Sequence, residues 1–437
     1  MDFLIAFGLF LLSIIICMVT RHALAWALLA GFFFFFFVGV HRGFAPKDLL
    51  AMSVKGALSS LLVQRIMLAI GLLTALWRAS GTIAFFVHTG IQLITPRSFI
   101  LVAFLLTSLL CMALGSSFGV ASTAGVILMT IARSGNANLI LAAGAVLSGC
   151  YVGERLSPAS SAAALTAAIS EADQRVFQRH MWRTSVLPLS LSFLFYLACS
   201  LLFPIQSVDV RILSALTAES RLLWPTILPA LVLVILPWFH VSALWSIVAS
   251  CAVAFPIALF LQGIAPSELL YTCLMGYTAH QPELVQILSG CGLVSMLSVV
   301  TILLLSCAYS GLFNGTGMLD PYKELLRRLA DRIGLFSVQN LLGLLCPAVF
   351  CNQAVSIVMG GEIMKDRYRE LGLPSMALAV NLGNSAITLA GLVPWCIASS
   401  VPLTAISSGP AAIPFAVFLY LVPLCHYLTE RSRKNRC

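Results

Sequence analysis

Long apolar stretches, interrupted at short intervals by a few polar residues, set the pattern of this chain. Runs of near-spanning length fall at 3–20, 23–40, 58–77, 98–114, 117–132, 138–153, 184–204, 222–238, 241–262, 285–308, 335–350, 375–400 and 411–428. A helix needs about 20 apolar residues to cross a bilayer. Several of these runs are shorter, which suits half-helices and hairpins, so the pattern predicts 10–12 full spans. The hydrophilic breaks at 41–57, 170–183, 205–221, 264–284, 320–334, 361–374 and from Glu430 onward are too short for a globular domain. The first run has no basic start and is followed at once by a second, so it reads as a span rather than a cleaved signal peptide. The expected fold is an all-α polytopic membrane protein, a single integral membrane domain over 1–437.

The segment GAVLSGCYVGERLSPASSAAAL, Gly144 to Leu165, is the most informative. It sets Glu154 and Arg155 beside a helix-breaking Ser157-Pro158, with Ser160 and Ser161 following, all in lipid-soluble sequence. A charge at membrane depth costs at least ~2.5–3.5 kcal/mol and marks a functional site by default. Irregular backbone at that depth is tolerated where it is buried in protein or lines a watery cavity. Two readings of the pair stay open: mutual neutralisation at a helix end, or a Glu154 carboxylate that competes for a proton or a cation. A small-cation site would fall at Glu154, Ser157 and Ser160, and Arg155 would favour an anionic group.

Three further breaks carry polar chemistry. GSSFGVASTAG, Gly115 to Gly125, offers Ser116, Ser117, Ser122 and Thr123 among glycines. Unwound backbone with hydroxyls can hold a small cation or polar solute, although the same residue types also serve tight helix packing. Asn352-Gln353 forms a second set, and Asn381, Asn384, Ser385 and Thr388 a third. Neutral amides bind polar groups without exchanging protons. The breaks keep one order in the two halves, 1–204 and 222–437. ALWRASGTI, a break at 115–125 and one at 154–161 are answered by GLFNGTGML, a break at 351–361 and one at 381–395. A duplicated transporter with two pseudo-symmetric, inverted halves would show this order. Its polar residues would then converge near mid-membrane.

Composition agrees and excludes alternatives. The 437 residues are 60% hydrophobic and 9% charged, and the mean hydropathy is +1.00. A formal net charge of +9 does not indicate nucleic acid, because the basic residues crowd short loops and the tail. Arg175, Arg179 and Arg183 share one loop, and Arg431, Arg433, Lys434 and Arg436 the C-terminus. The positive-inside rule places both in the cytoplasm, with the protein in the cell's inner membrane. The basic loop at Arg42, Lys47 and Lys55 leaves the N-terminal side open. Pro321 to Gly334 places Leu325, Leu329 and Ile333 on one stripe and reads as an amphipathic helix on the membrane surface. The 13 cysteines form no CxxC pair and read as small buried hydrophobes. The run of six phenylalanines from Phe32 to Phe37 reads as lipid-facing packing. His/Cys/Asp clusters and nucleophile motifs are missing from the loops, so an enzyme is not expected.

These residues resemble the NhaC family of Na+/H+ antiporters, within the broader ion-transporter superfamily. ALWRASGTI, GSSFGVASTAG, VLSGCYVGERLSPASS, NQAVSIVMGGEI and LGNSAITLAGLVPW follow that family's motifs in order from about residue 70 to 400. The resemblance implies alternating-access secondary transport with Na+ and H+ as coupling ions and no resident cofactor. By analogy it also implies a homodimer. The departures remove acidic residues. Where the family pattern has acids, this chain has Ser161, Asn314, Asn352 and the pair Gly383-Asn384, and only Glu154 keeps a carboxylate. A carrier for a small organic solute such as an amino acid or carboxylate, or a transport-inactive paralogue, therefore stand as alternatives.

Overall fold

The computed structural model describes residues 2–20, 24–59, 61–93, 95–158, 160–205, 210–239, 241–289, 292–318 and 320–434. Among them there is no β-strand, and the chain runs as helices joined by short turns. In order these are α1 (Asp2–Thr20), α2 (Leu24–His41), α3 (Pro46–Ser59), α4 (Leu61–Ala79), α5 (Thr82–Leu93), α6 (Phe99–Leu114), α7 (Ser117–Val120), α8 (Val126–Ser134), α9 (Leu139–Leu156), α10 (Ser161–Ile169), α11 (Gln174–Leu202) and α12 (Val210–Glu219). There follow α13 (Leu228–Ile235), α14 (Ala243–Pro256), α15 (Pro266–Met275), α16 (Pro282–Leu288), α17 (Leu293–Thr316), α18 (Asp320–Ile333), α19 (Leu335–Phe350), α20 (Gln353–Glu370), α21 (Ser375–Asn384), α22 (Ala386–Leu389), α23 (Ile397–Ala405) and α24 (Val417–Lys434).

Among the described residues, six helices are long and apolar enough to cross a membrane, or seven if α4 and α5, bent by 67°, form one span. The expected 10–12 is reached only by adding apolar helices of 10–17 residues, which are shorter than the hydrocarbon core demands. The six divide by burial. Ser117–Ser134, Leu139–Leu156 and Ser375–Leu392 are 78, 89 and 72% buried, against 33, 33 and 29% for Gln174–Leu202, Leu244–Leu261 and Leu293–Phe313. The buried ones carry the breaks and polar residues; the others turn largely apolar surface outward, with residues such as Leu187, Leu194, Trp245 and Leu297 exposed.

The chain forms two compact units. Unit 1 comprises 1–64, 165–173 and 298–398; unit 2 comprises 65–164, 174–297 and 399–437. In unit 1, α1 pairs with α2, and an aromatic cluster closes over α17. The Phe35 and Phe313 rings lie 4.7 Å apart, Phe10 and Tyr309 5.8 Å, and the Tyr309 hydroxyl donates to the Leu28 carbonyl. The phenylalanine run is thus only partly lipid-facing: Phe33 and Phe37 are exposed, while Phe35 is in the core, because successive helical residues point to different sides. The expected helix over 321–334 is present as α18, with Leu325 and Ile333 exposed.

In unit 2 the governing contact is α6 against α9. A Cβ on Gly149 would stand 2.0 Å from Thr107 Oγ1, and one on Gly153 2.2 Å from the Cys111 carbonyl carbon. The Gly-x-x-x-Gly spacing lets the two backbones touch, and the Cys111 thiol donates to the Cys150 carbonyl at 2.8 Å.

Candidate functional site

That close crossing decides where Glu154 goes. It follows Gly153 directly, at the end of α9, and so faces the end of α6. There Gly115 takes a left-handed φ of 70° and Ser116 an extended φ of −135°, and the helix stops. Ser116 Oγ accepts from the Gly119 amide at 3.3 Å, and the chain restarts as α7, a π-helical turn over Ala121–Gly125, and α8. The amide that the new N-terminus leaves without a helical acceptor, Ser117 N–H, donates to Glu154 Oε2 at 2.9 Å. A carboxylate on the positive end of a helix is favoured by both hydrogen bonding and dipole. Here both partners are buried. Thr123 and Ser122 turn their hydroxyls back to carbonyls of the preceding turn, Thr123 to Gly119 at 2.7 Å, so these two serve the break's own backbone.

Arg155 takes another direction. It is fully buried, and its guanidinium donates to Thr184 Oγ1 at 2.6 Å, to Ser185 Oγ, and to the Met181 carbonyl at 3.3 Å. Both residues of the pair therefore hold partners on other helices, and the anion-receptor reading of Arg155 gains no support from its position. Beyond them Ser157 leaves the helix with ψ 132°, and Ser160 Oγ accepts from Ala163 N–H at 3.2 Å as α10 begins. Both are buried, whereas Ser161 is exposed on the first turn of α10.

The residues that hold this second break come from α11, whose first turns the sequence offered as a basic loop ahead of the apolar run at 184–204. Gln178 Nε2 donates to the Leu156 carbonyl and Gln174 Nε2 to the Pro158 carbonyl at 3.2 Å. Gln174, Gln178, Met181 and Ser185 are spaced i, i+4, i+7, i+11 and share one face, while Arg175, Arg179 and Arg183 are exposed on others. The spacing was readable; the basic residues between them drew attention to topology instead.

Unit 1 contains a locally similar break. Helix α19 ends at Cys351 with φ 52°, and Asn352, with φ −138°, caps α20 by accepting from Ala354 N–H at 2.9 Å. These dihedrals repeat those of Gly115 and Ser116. Asn352 Nδ2 also meets Cys307 Sγ at 3.5 Å, and Gln353 Nε2 donates to the Ile387 carbonyl at 2.7 Å. Asn384 ends α21, and Ser385, at φ −120° and ψ −79°, breaks the helix while donating to the Asn381 carbonyl at 2.6 Å. Both are fully buried. Asn314 lies on α17, with its side chain outside the described residues. In unit 2 the Ser116-Ser117 break thus meets Glu154, with Ser157 and Ser160 following along the chain, and in unit 1 Gln353 reaches α22, which begins just after Asn384 and Ser385. Among the described residues, no three His, Cys, Asp or Glu side chains are grouped to hold a metal ion. A cation here would rest on hydroxyls and carbonyls beside one carboxylate.

The sequence pattern of the Na+/H+ antiporter family matches residues 3–187 and 175–428. Among characterised relatives, the chain is similar to the "Malate-2H(+)/Na(+)-lactate antiporter" of Bacillus subtilis, 24% identical over 379 residues that cover 84% of this chain and 80% of the relative. It is similar to the "Na(+)/H(+) antiporter NhaC" of Alkalihalophilus pseudofirmus, 25% identical over 369 residues, 82 and 79% of the two chains. It also resembles the "Arginine/ornithine antiporter ArcD" of Halobacterium salinarum, 26% identical over 339 residues, 76 and 70%.

Proposed function

Because the chain belongs to the Na+/H+ antiporter family, we propose that it exchanges Na+ for H+ across the membrane by alternating access, with Glu154 as the group that both ions visit. The observation that carries this is the Glu154 bond to the amide of Ser117 at a helix break. Proton exchange needs a group that titrates, and Glu154 is the carboxylate at these breaks. Protonating it removes the charge that the α7 N-terminus holds, so loading a proton and loosening the α6–α7 break become one event. Na+ would compete at the same carboxylate, with the oxygens of Ser157 and Ser160 as neighbours. Breaks with matching dihedrals at Gly115-Ser116 and Cys351-Asn352 support a duplicated design.

The test is flux in proteoliposomes with separate Na+ and H+ gradients. Glu154→Gln keeps the shape and cannot titrate, so Na+-driven proton movement should disappear. Wild-type exchange in Glu154→Gln would remove the proposal.

A second reading, transport of a small organic solute, is favoured by the malate/lactate and arginine/ornithine exchange named for two relatives. It puts binding on the amides of Asn352 and Asn384. Under it, Asn352→Ala and Asn384→Ala lower flux of those solutes while Glu154→Gln leaves it intact. In either reading the protein lies in the cell's inner membrane with the Arg175–Arg183 region and the C-terminus in the cytoplasm. A homodimer remains an expectation by analogy, open to cross-linking or mass measurement in detergent.

A further inference from the structure

Helix α20 carries a feature that Glu154 does not use. Hydroxyls within buried helices ordinarily donate to the carbonyl one turn back, as Thr130 does to Val126 at 2.7 Å and Ser134 to Thr130 at 3.0 Å. Ser356, on the first turns of α20 and 1% exposed, does not: its Oγ has no hydrogen-bond partner among the described residues. One turn further along the same face is Gly360. Its carbonyl accepts from Nε2 of Gln339 on α19 at 3.4 Å. That bond fixes the orientation of the amide, because only the NH2 can donate. The other end of the amide, Gln339 Oε1, is buried and has no donor among the described residues. Another such oxygen, the Ser170 hydroxyl, follows Ile169, whose side chain lodges against Gly361. Leu382 of α21 covers both glycines.

Buried polar atoms without partners are rare in folded proteins, and each calls for an explanation. Three within unit 1, at Gln339, Ser356 and Ser170, lie on the elements packed around residues 356–361 and call for a common one; Asn340 Oδ1 is a fourth such atom, on α19. Gln339 Oε1 can only accept, and the Ser356 oxygen can accept beside it, so a ligand shared by the two brings positive charge or donors. Hard neutral oxygens suit a small alkali cation. A divalent ion would want carboxylates, and the nearest in sequence, Glu362, is exposed.

We propose that α19 and α20 hold a monovalent cation site, separate from Glu154, formed by Gln339 Oε1 and Ser356 Oγ with Ser170 at its edge. It rests on the Na+ part of the reading above and supplies a neutral-oxygen Na+ site in the unit where Asn352 stands in place of a family acid.

The test follows the unfolding temperature of the purified full-length chain in nanodiscs against NaCl, with choline chloride holding ionic strength and KCl as a second cation. Na+ should raise the midpoint. Gln339→Leu and Ser356→Ala should each increase the half-saturating Na+ concentration about 5-fold or more, the usual effect of deleting one buried polar partner. Gln339→Glu, which adds charge at the same place, should lower it. Ser192→Ala removes another buried, unpartnered hydroxyl, on α11, and should leave the Na+ response unchanged. Glu154→Gln, which removes only the Na+ held at that carboxylate, should keep a Na+ response that still depends on Gln339 and Ser356. If Gln339→Leu does not fold, Gln339→Glu and Ser356→Ala decide. Wild-type Na+ response in those variants, or no preference for Na+ or K+ over choline, would overturn the site and leave water as its occupant. Loss of the response in Glu154→Gln alone would overturn this inference and keep Glu154 as the Na+ site. Loss in Ser356→Ala with undiminished proton flux in Glu154→Gln would do the reverse.

Discussion

Gly153→Ala should damage this protein well beyond the size of a methyl group. Its Cβ would lie 2.2 Å from the Cys111 carbonyl carbon and 2.3 Å from the Cys111 Cβ. Carbon atoms settle at about 3.5–4 Å, and a backbone atom cannot swing aside. Helices α6 and α9 must therefore part by more than ~1 Å. Overpacking of this kind costs about 1–3 kcal/mol. The same displacement stretches the 2.9 Å bond from Ser117 N–H to Glu154 to about 4 Å, beyond hydrogen-bonding distance. Losing a bond to a charged group costs about 1.5–3 kcal/mol more. The expected total is about 2.5–6 kcal/mol, read as a fall in unfolding temperature in detergent together with loss of exchange in proteoliposomes. Gly119→Ala is the control: its Cβ would meet nothing nearer than 3.6 Å, and alanine in a helix gains up to ~1 kcal/mol over glycine. Equal stability of Gly153→Ala and Gly119→Ala would refute the claim that backbone contact between α6 and α9 sets the position of Glu154.

The breaks themselves were legible in the sequence because each needs a residue type that can end or cap a helix. Gly115-Ser116, Ser157-Pro158 and Cys351-Asn352 stand out against apolar surroundings, and the helices stop there. The partners across the breaks were less legible, because they depend on helix geometry. Pairing Glu154 with Arg155 was the natural thought, yet neighbours in a helix do not face each other. Glu154 reaches α7 and Arg155 reaches α11. The polar face of α11 was present as a spacing and hidden by its arginines. Nothing in the hydropathy pattern separates chain segments by unit: residues 165–173 group with 298–398, although the chain on either side groups elsewhere. Gln339 and Ser356 were invisible for a further reason. Single polar residues in apolar runs are common, and only packing shows which of them find no donor.

Two predictions concern the ends of the spans. Single cysteines at Arg175 or at Arg431, in a background without native cysteines, should resist a membrane-impermeant reagent added from outside; strong labelling at either would reverse the proposed orientation. The other is a dependence of stability on acid, centred on Glu219 at the end of α12. Its side chain is 1% exposed. Burial pushes its carboxyl upward, but donors from Tyr277 Oη at 2.7 Å, His280 N at 2.9 Å, Gln281 N at 3.0 Å and the His280 ring at 3.2 Å outweigh that and hold it below the ordinary range. A depressed carboxyl contributes stability above its unfolded value of about 4.3 and loses it as pH falls through the folded value. The wild-type unfolding temperature should therefore drop as pH falls below about 4.3, and the drop should be smaller in Glu219→Gln, which cannot titrate. At neutral pH the variant should already be the less stable of the two, because an amide accepts the two backbone N–H groups less strongly than a carboxylate. A drop of the same size in both proteins would show that the loop at 277–281 is held by something other than this charge.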